Sequence, residues 1–460
     1  MNGRRRLAAG ALVLVLLSSL FTCGLMMLRF RYLFKIGAGE IAQFNDFLTV
    51  YDYAKHVYVD PVPTETLLEG AMRGLLEALG DPNTAYLTQA QYQGLITRTE
   101  GNFGGVGVYV SQQGGDIVVV APIEGMPGEK AGIRRGDIIA AVDGADVTGL
   151  SLDEVLAAMR GPVGTAVRLK VRREGETDLP EFVITRVNIE INTVEAERLE
   201  SGIGYIRITE FNQNTSNNLQ SSLQTLRAQG VDGLILDLRN NPGGLLQEGR
   251  LVAAALVPPG PVVHIVNREG EKDTLNTTSA GLGVPLAVLV NGGSASASEI
   301  VAGAVKDRAA GTLVGTRTYG KGSVQGLFRL SNGGGFRLTT DKYLTPGGIS
   351  IHGTGIDPDI LVYGLGDREL VSAASGADVA CLQQALNDLG FDAGPENGIY
   401  GPATVAAVES FQRAKGLAVD GKAGIGLIYR IWDDWISATG GHNLPDTQLE
   451  TAVAFLRGNR

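Results

Sequence analysis

At 460 residues the chain is too long for one ordinary core, and the usual domain size predicts about three modules. A hydrophobic share of 44% against a charged share of 19% excludes wholesale disorder, and 64 glycines, about double the usual share of roughly 7%, argue against a helical bundle. A net charge of -10 without clustered Lys and Arg excludes a nucleic-acid surface; two cysteines exclude a disulfide framework, and His56, His264, His352 and His442 lack zinc-site spacing, so neither metal nor cofactor is expected.

From Leu7 to Leu28 the chain is apolar and uncharged, and as a helix at 1.5 Å per residue it would span the roughly 30 Å hydrocarbon core. Residues 1–35 are therefore expected to be a cytoplasmic stub and one transmembrane anchor. A cleaved signal peptide is the alternative, although the run exceeds the usual apolar region of about 7–15 residues and no small-x-small site follows. Cys23 is a poor lipidation site after Leu20, Phe21 and Thr22. Arg4, Arg5 and Arg6 nearly balance Arg29, Arg31 and Lys35, so flanking charge alone does not orient the helix.

Residues 36–100 show helical apolar spacing, first in Phe47, Val50, Tyr51 and Ala54, then in Leu67, Leu68, Met72, Leu75 and Leu76. The helices are expected to end at Gly80-Asp81-Pro82. From 101 to 188 the pattern changes to short strands, with Val167, Leu169 and Val171 alternating with polar residues, and one helix at SLDEVLAAMR. FGGVGV at 103–108 and EKAGIRRGD at 129–137 resemble the corresponding strings of a PDZ domain. That resemblance implies that the backbone N–H groups of Gly105, Val106 and Gly107 hold a peptide's terminal carboxylate, while the strand from Val106 through Val108 takes the peptide as an added strand. The alternative is a plain glycine turn.

In the segment 189–370, strands such as GLILDL and PLAVLV alternate with helices such as TSNNLQSSLQTLRAQG, implying βαβ units around a buried sheet. NGGSASASEIVAGAVKD at 291–307 follows one of these strands and opens a helix. A serine there would meet free N–H groups and the positive end of the helix dipole, which stabilise an oxyanion in acyl transfer. Ser296 and Glu299 also have Ser-x-x-Glu spacing, which a capping box explains without catalysis. GTRTYGKGSVQG at 315–326 supplies an amine, Lys321, between glycines. It is nearly a phosphate-binding loop, but Gly322 stands where magnesium needs Ser or Thr, and a strand follows rather than a helix.

Together NGGSASASEI, GKGSVQ and LRNNPGG resemble the carboxyl-terminal processing proteases over residues 40–363. The resemblance implies an α/β core of crotonase-like type, Ser296 as nucleophile, Lys321 as general base and Gln325 as the residue orienting the lysine. It further implies an oxyanion hole from the N–H groups of Gly243 and Ala297, with Gly244 as a rival to Gly243, and a tail-sensing role for Arg160 at the end of the PDZ helix. Ser294 and Ser298 remain rivals for nucleophile, and a Ser-His-Asp site, with His352 in SIHGTGIDPD, is the other mechanism. A lysine base must lose its proton near pH 7, about three units below its free pKa near 10.4 and about 4 kcal/mol, so Lys321 is expected to be buried, without a carboxylate partner.

Residues 374–435 resemble the three-helix peptidoglycan-binding domain of cell-wall enzymes, with one helix face from Val379, Leu382, Leu386 and Leu389 and another from Ala403, Val405, Ala406, Val408 and Phe411. Residues 440–460 resemble a terminal helix that follows the protease core directly in the family, so the wall module reads as an insertion. The expectation is a multidomain α/β protein: membrane helix, helical segment, PDZ domain, protease core and wall-binding module. Its expected function is a membrane-anchored, PDZ-gated serine endopeptidase that cleaves unfolded or C-terminal tails of extracytoplasmic proteins. Its expected partners are protein substrates with free C-terminal tails, peptidoglycan, the membrane through one helix and a second copy of the chain. The catalytic part is expected to face the extracytoplasmic side, since peptidoglycan lies there. The rival is a catalytically inactive PDZ adaptor, against which stands the joint presence of Ser296, Lys321 and Gln325.

Overall fold

The computed structural model describes residues 38–173, 175–176, 178–440 and 446–458. Two compact units divide between Tyr86 and Leu87. The first contains helices α1 (Ala38–His56) and α2 (Thr64–Glu77). Phe44, Phe47, Ala71, Met72 and Leu75 line an open apolar groove on this unit, and Phe44 and Phe47 are exposed.

The membrane expectation is corrected here. Among the described residues no helix is long and apolar enough to cross a membrane. The longest, α1, has 19 residues but carries Glu40, Asp46, Asp52 and Lys55, and charges at that density oppose entry into hydrocarbon. The run at 7–28 lies outside the described residues. The anchored function, the membrane as partner and the single-pass localisation therefore lose their support.

The second unit begins with α3 (Gln89–Glu100), which starts in a capping box between Thr88 and Gln91 and stops at left-handed Gly101. A β-rich insertion follows: β1 (Asn102–Gly105), β2 (Val108–Gln113), β3 (Asp116–Pro122), α4 (Pro127–Ala131), β4 (Ile138–Val142), α5 (Leu152–Met159), β5 (Ala166–Arg172), β6 (Glu181–Thr185) and β7 (Val187–Glu190). Strands β2 to β6 form an antiparallel sheet in chain order, with β2 at one edge. Val167, Leu169 and Val171 are buried among Val119 and Val155, as their alternation predicts. β7 pairs antiparallel with β1 and closes the insertion at its neck.

The core comprises β8 (Val194–Arg198), β9 (Gly204–Ile208), α6 (Thr215–Ala228), β10 (Leu234–Asp237), α7 (Leu246–Leu256), β11 (Gly260–Val266), β12 (Lys272–Thr277), β13 (Leu286–Val290), α8 (Ala297–Asp307), β14 (Thr312–Gly315), β15 (Ser323–Arg329), β16 (Gly335–Leu344) and β17 (Ile360–Leu361). Its main sheet runs β8-β9-β10-β13-β14-β17, with β9 to β17 parallel and β8 antiparallel at the edge. Strands β10 and β13 are buried at every position, because both sheet faces are covered. Leu236, Val288 and Val290 pack with α6, α7 and α8 on one side, while Ile235, Ala287 and Leu289 pack on the other with Ala452 and Leu456. A second, antiparallel sheet joins β12, β11, β16 and β15. The crotonase-like label is also corrected: the core is this open, doubly covered parallel sheet with an antiparallel sheet beside it.

The last helices are α9 (Ala377–Asp388), α10 (Pro402–Ala414), α11 (Ile425–Thr439) and α12 (Thr447–Gly458). The first three enclose their own core of Val379, Leu382, Leu386, Val408, Phe411, Ile431 and Trp435. The buried stripe of α10 is Thr404, Ala407, Val408, Phe411 and Gln412, at i, i+3, i+4, i+7 and i+8, which leaves Ala403 and Ala406 exposed, one register step away from the face read in the sequence. Helix α12 leaves this module and contributes Ala452 and Leu456 to the core sheet.

Candidate active site

The chain leaves the buried strand β13 and turns sharply into α8 at Ser296, whose backbone stands at φ 56° and ψ -112°. For a side chain with a Cβ this conformation costs roughly 1–3 kcal/mol and persists only where the surroundings enforce it. A strained strand-to-helix turn exposes the hydroxyl of its central residue. Ser296 is half-buried, whereas its two rivals are fully enclosed and committed: the Ser294 hydroxyl donates to Leu238 O at 2.8 Å, and the Ser298 hydroxyl to Asn241 O at 2.9 Å. As the first residue of α8, Ala297 has an N–H without an intrahelical acceptor.

The 239–244 loop closes on this turn. A Cβ at Gly243, which has φ 97°, would lie 2.7 Å from Ser296 Cβ and 2.9 Å from Ala297 N; one at Gly244 would lie 2.2 Å from Phe211 O. Only glycines let the loop sit there. In this conformation the Gly243 N–H donates to Asn241 Oδ1 at 2.9 Å, and Asn241 Nδ2 donates to Ile208 O at 2.7 Å. Gly249 of α7 similarly lets Ala297 approach, since a Cβ there would meet the Ala297 methyl at 2.9 Å.

Lys321 stands on the opposite loop, half-buried rather than fully enclosed as expected. Its flanking glycines let the loop approach the 351–355 segment closely: a Cβ at Gly320 would fall 2.8 Å from Gly355 N, and one at Gly322 2.9 Å from His352 N. Gln325 follows a bulge in the pairing of β15 with β16, and its Nε2 donates to Ser323 Oγ at 2.9 Å. Bulges of this kind re-aim side chains beside active sites.

One buried carboxylate joins the two loops. Glu299 Oε2 accepts the N–H groups of Ser296 and Lys321, each at 2.9 Å, while Oε1 accepts the Thr318 hydroxyl at 2.6 Å and the Gly320 N–H at 2.7 Å. The Tyr343 hydroxyl donates to Ser296 O at 3.0 Å. Burial, reinforced by the nearby Glu299 carboxylate, pushes the Tyr343 phenol well above its ordinary pKa. Neither residue was singled out in the sequence except Glu299 as a cap; the extra signal for Glu299 was its place beside the serine string. The histidine route finds little here: His264 is buried with its ring nitrogens on Thr274 Oγ1 and Pro346 O, and His352 is exposed.

In the β-rich insertion, Val106 to Val110 and Phe103, Ile123, Leu156, Met159 and Arg160 line a cleft between edge strand β2 and α5. Gly105 pairs with Val187, and Gly107, at φ 75°, packs where a Cβ would meet that of Met126 at 2.3 Å. The Arg160 guanidinium lies 4.4 Å from the Phe103 ring centroid, and burial pulls its pKa down against the pull of Asp153.

Family models match four stretches: the N-terminal domain of the activating protease CtpB at 35–91, a PDZ domain at 118–173, peptidase family S41 at 202–362 and a peptidoglycan binding domain at 375–431. The chain is 42% identical to the carboxyl-terminal-processing protease of a Synechocystis species over 69% of this chain and 76% of that one. It is 32% identical to the carboxy-terminal processing protease CtpA of Bacillus subtilis over 90% of this chain and 91% of that one. The chain belongs to the carboxyl-terminal processing proteases.

This protease is accordingly a serine endopeptidase of the Ser-Lys dyad type, with PDZ and peptidoglycan-binding modules. Among solved structures, the photosystem II D1 C-terminal processing protease shares 35% identity, covering 69% of this chain and 86% of that one, with a TM-score of 0.41.

Proposed function

We propose that this protease cleaves unfolded or C-terminal protein tails with Ser296 as nucleophile and Lys321 as general base. The observation that carries the assignment is the left-handed Ser296 at the start of α8, the one serine of its string neither enclosed nor spent on a backbone carbonyl. In acylation, Ser296 Oγ bonds to the scissile carbonyl carbon and its proton passes to the neutral Lys321 amine. That proton then goes to the leaving nitrogen as the C–N bond breaks. Water, deprotonated by the same amine, releases the acyl group. The Ala297 N–H faces the developing oxyanion, joined by Gly243 once its N–H leaves Asn241, or by Gly244. Gln325 would orient the lysine.

Ser296→Ala and Lys321→Ala should each lower turnover of an unfolded casein substrate by more than about 10³-fold, the scale of losing a catalytic nucleophile or base. Activity at the wild-type rate in either variant rules out the dyad. Because the base must be neutral, kcat/KM should rise with pH through the lysine titration.

The edge strand β2 has an unpaired side against the cleft, so a substrate tail can add there as a further strand, its terminal carboxylate meeting the N–H groups of the Gly105–Val108 turn. Arg160, desolvated beside that cleft, would sense the tail. Arg160→Ala should keep basal turnover and lose stimulation by a tail peptide; equal stimulation removes Arg160 from the scheme. The helical module at 375–431 would hold the enzyme on peptidoglycan, which a pull-down on purified sacculi tests.

A further inference from the structure

We infer that Glu299 is a positioning residue that fixes the base loop against the nucleophile turn through one buried carboxylate. The inference rests on the Ser296–Lys321 reading and adds to it the device that sets their separation. A capping glutamate needs to accept only the N–H of its own cap residue. Glu299 does that with Oε2, and the same oxygen takes the N–H of Lys321, 22 residues further along, while Oε1 takes the Thr318 hydroxyl and the Gly320 N–H. All four donors belong to the two segments that must meet for proton transfer, and the carboxylate is wholly enclosed. Water is therefore kept from the carboxylate itself, and four donors converge on it, the Thr318 hydroxyl and Gly320 N–H through buried bonds and the Ser296 and Lys321 N–H groups through part-buried ones. The Thr318 hydroxyl extends the tie, accepting the Ile356 N–H at 2.8 Å.

The geometry also fixes what each substitution does. In Glu299→Gln the side chain keeps its volume but turns an amide NH₂ either towards the Ser296 and Lys321 N–H groups or towards the Thr318 hydroxyl and the Gly320 N–H, so at least one backbone N–H loses its acceptor and its loop must withdraw. Thr318→Val keeps shape and removes one donor from Oε1, and Thr318→Ser restores the hydroxyl. A shift of about 1 Å in a reacting group costs about a hundredfold in rate.

The test measures kcat and KM on an unfolded casein substrate, with tail-peptide affinity for the PDZ cleft as control, in the full chain. Glu299→Gln should lower kcat about a hundredfold with KM and tail affinity within about twofold of wild type. Thr318→Val should lower kcat about tenfold, and Thr318→Ser should recover most of that loss, which decides the matter should Glu299→Gln not fold. Wild-type kcat in Glu299→Gln or Thr318→Val, or a loss confined to KM, overturns the inference. Ser296→Ala and Lys321→Ala run beside them keep the two readings apart. Inactive dyad variants with an active Glu299→Gln reject only the positioning role, and an active Ser296→Ala rejects the dyad itself.

Discussion

Ser296 carries a backbone conformation that a β-carbon resists, and this separates its structural cost from its chemical use. Ser296→Gly should raise the melting temperature, because glycine adopts φ 56° without penalty and recovers up to about 1 kcal/mol, while abolishing turnover. Thermal unfolding alongside the casein assay checks this; a glycine variant less stable than wild type would show that the turn is not strained. Gly243→Ala is the converse, forcing a methyl to within 2.7 Å of Ser296 Cβ, and should cost both stability and activity. At this scale the sequence was only partly legible. The string SASAS marked the turn that opens α8 but its spacing could not choose among its three serines, because the choice depends on which hydroxyls the neighbouring loop consumes. Glu299 looked like a cap, and its second acceptor duty depends on a loop some twenty residues away.

Arg239 ties helix α12 to the core at the root of the 239–244 loop. Its guanidinium donates to both oxygens of Asp237 and both of Asp446, and to Gln448 Oε1. Burial opposes its charge, but these carboxylates outweigh burial and hold its pKa above the ordinary value. Burial likewise pushes Asp446 up, and the hydrogen bonds and charge of Arg239 leave it lowered overall. A carboxyl depressed in the folded state stabilises above its unfolded pKa, near 3.9, and loses that contribution as pH falls through the lower folded value. The α12 clasp should thus hold at neutral pH and weaken below about pH 4. With the Asp446 side chain 39% exposed, Asp446→Ala should cost about 1–2 kcal/mol, between the exposed and buried limits; an unchanged denaturation midpoint would refute the clasp. The strands β10 and β13 were legible because continuous apolar runs announce strands buried on both faces. The clasp was not, since Arg239 and Asp446 are 207 residues apart.

Across the whole chain, two modules enter the protease as insertions with closed necks. The β-rich insertion is closed by pairing of β1 with β7. The helices of the 375–431 module depart after Asp367 and return before Gln448, and Gln448 Nε2 donates to Asp367 Oδ2 at 2.9 Å, so the two stems meet. Since α9, α10 and α11 bury their own core, replacing residues 377–435 by a short glycine-serine linker should leave casein turnover within about twofold and abolish sedimentation with peptidoglycan. Loss of turnover would show that the module supports the catalytic core. Both modules were legible through strings that resemble known domains, whereas the step from Ala406 to Ala407 in α10 shows where small residues give an apolar stripe too little contrast to fix its face.

The most direct measurement is labelling of the full-length enzyme by a fluorophosphonate, with the modified residue located by mass spectrometry. A single adduct is expected on Ser296, and its formation should collapse in Lys321→Ala. Adducts on Ser294 or Ser298, or undiminished labelling without the lysine amine, would contradict it.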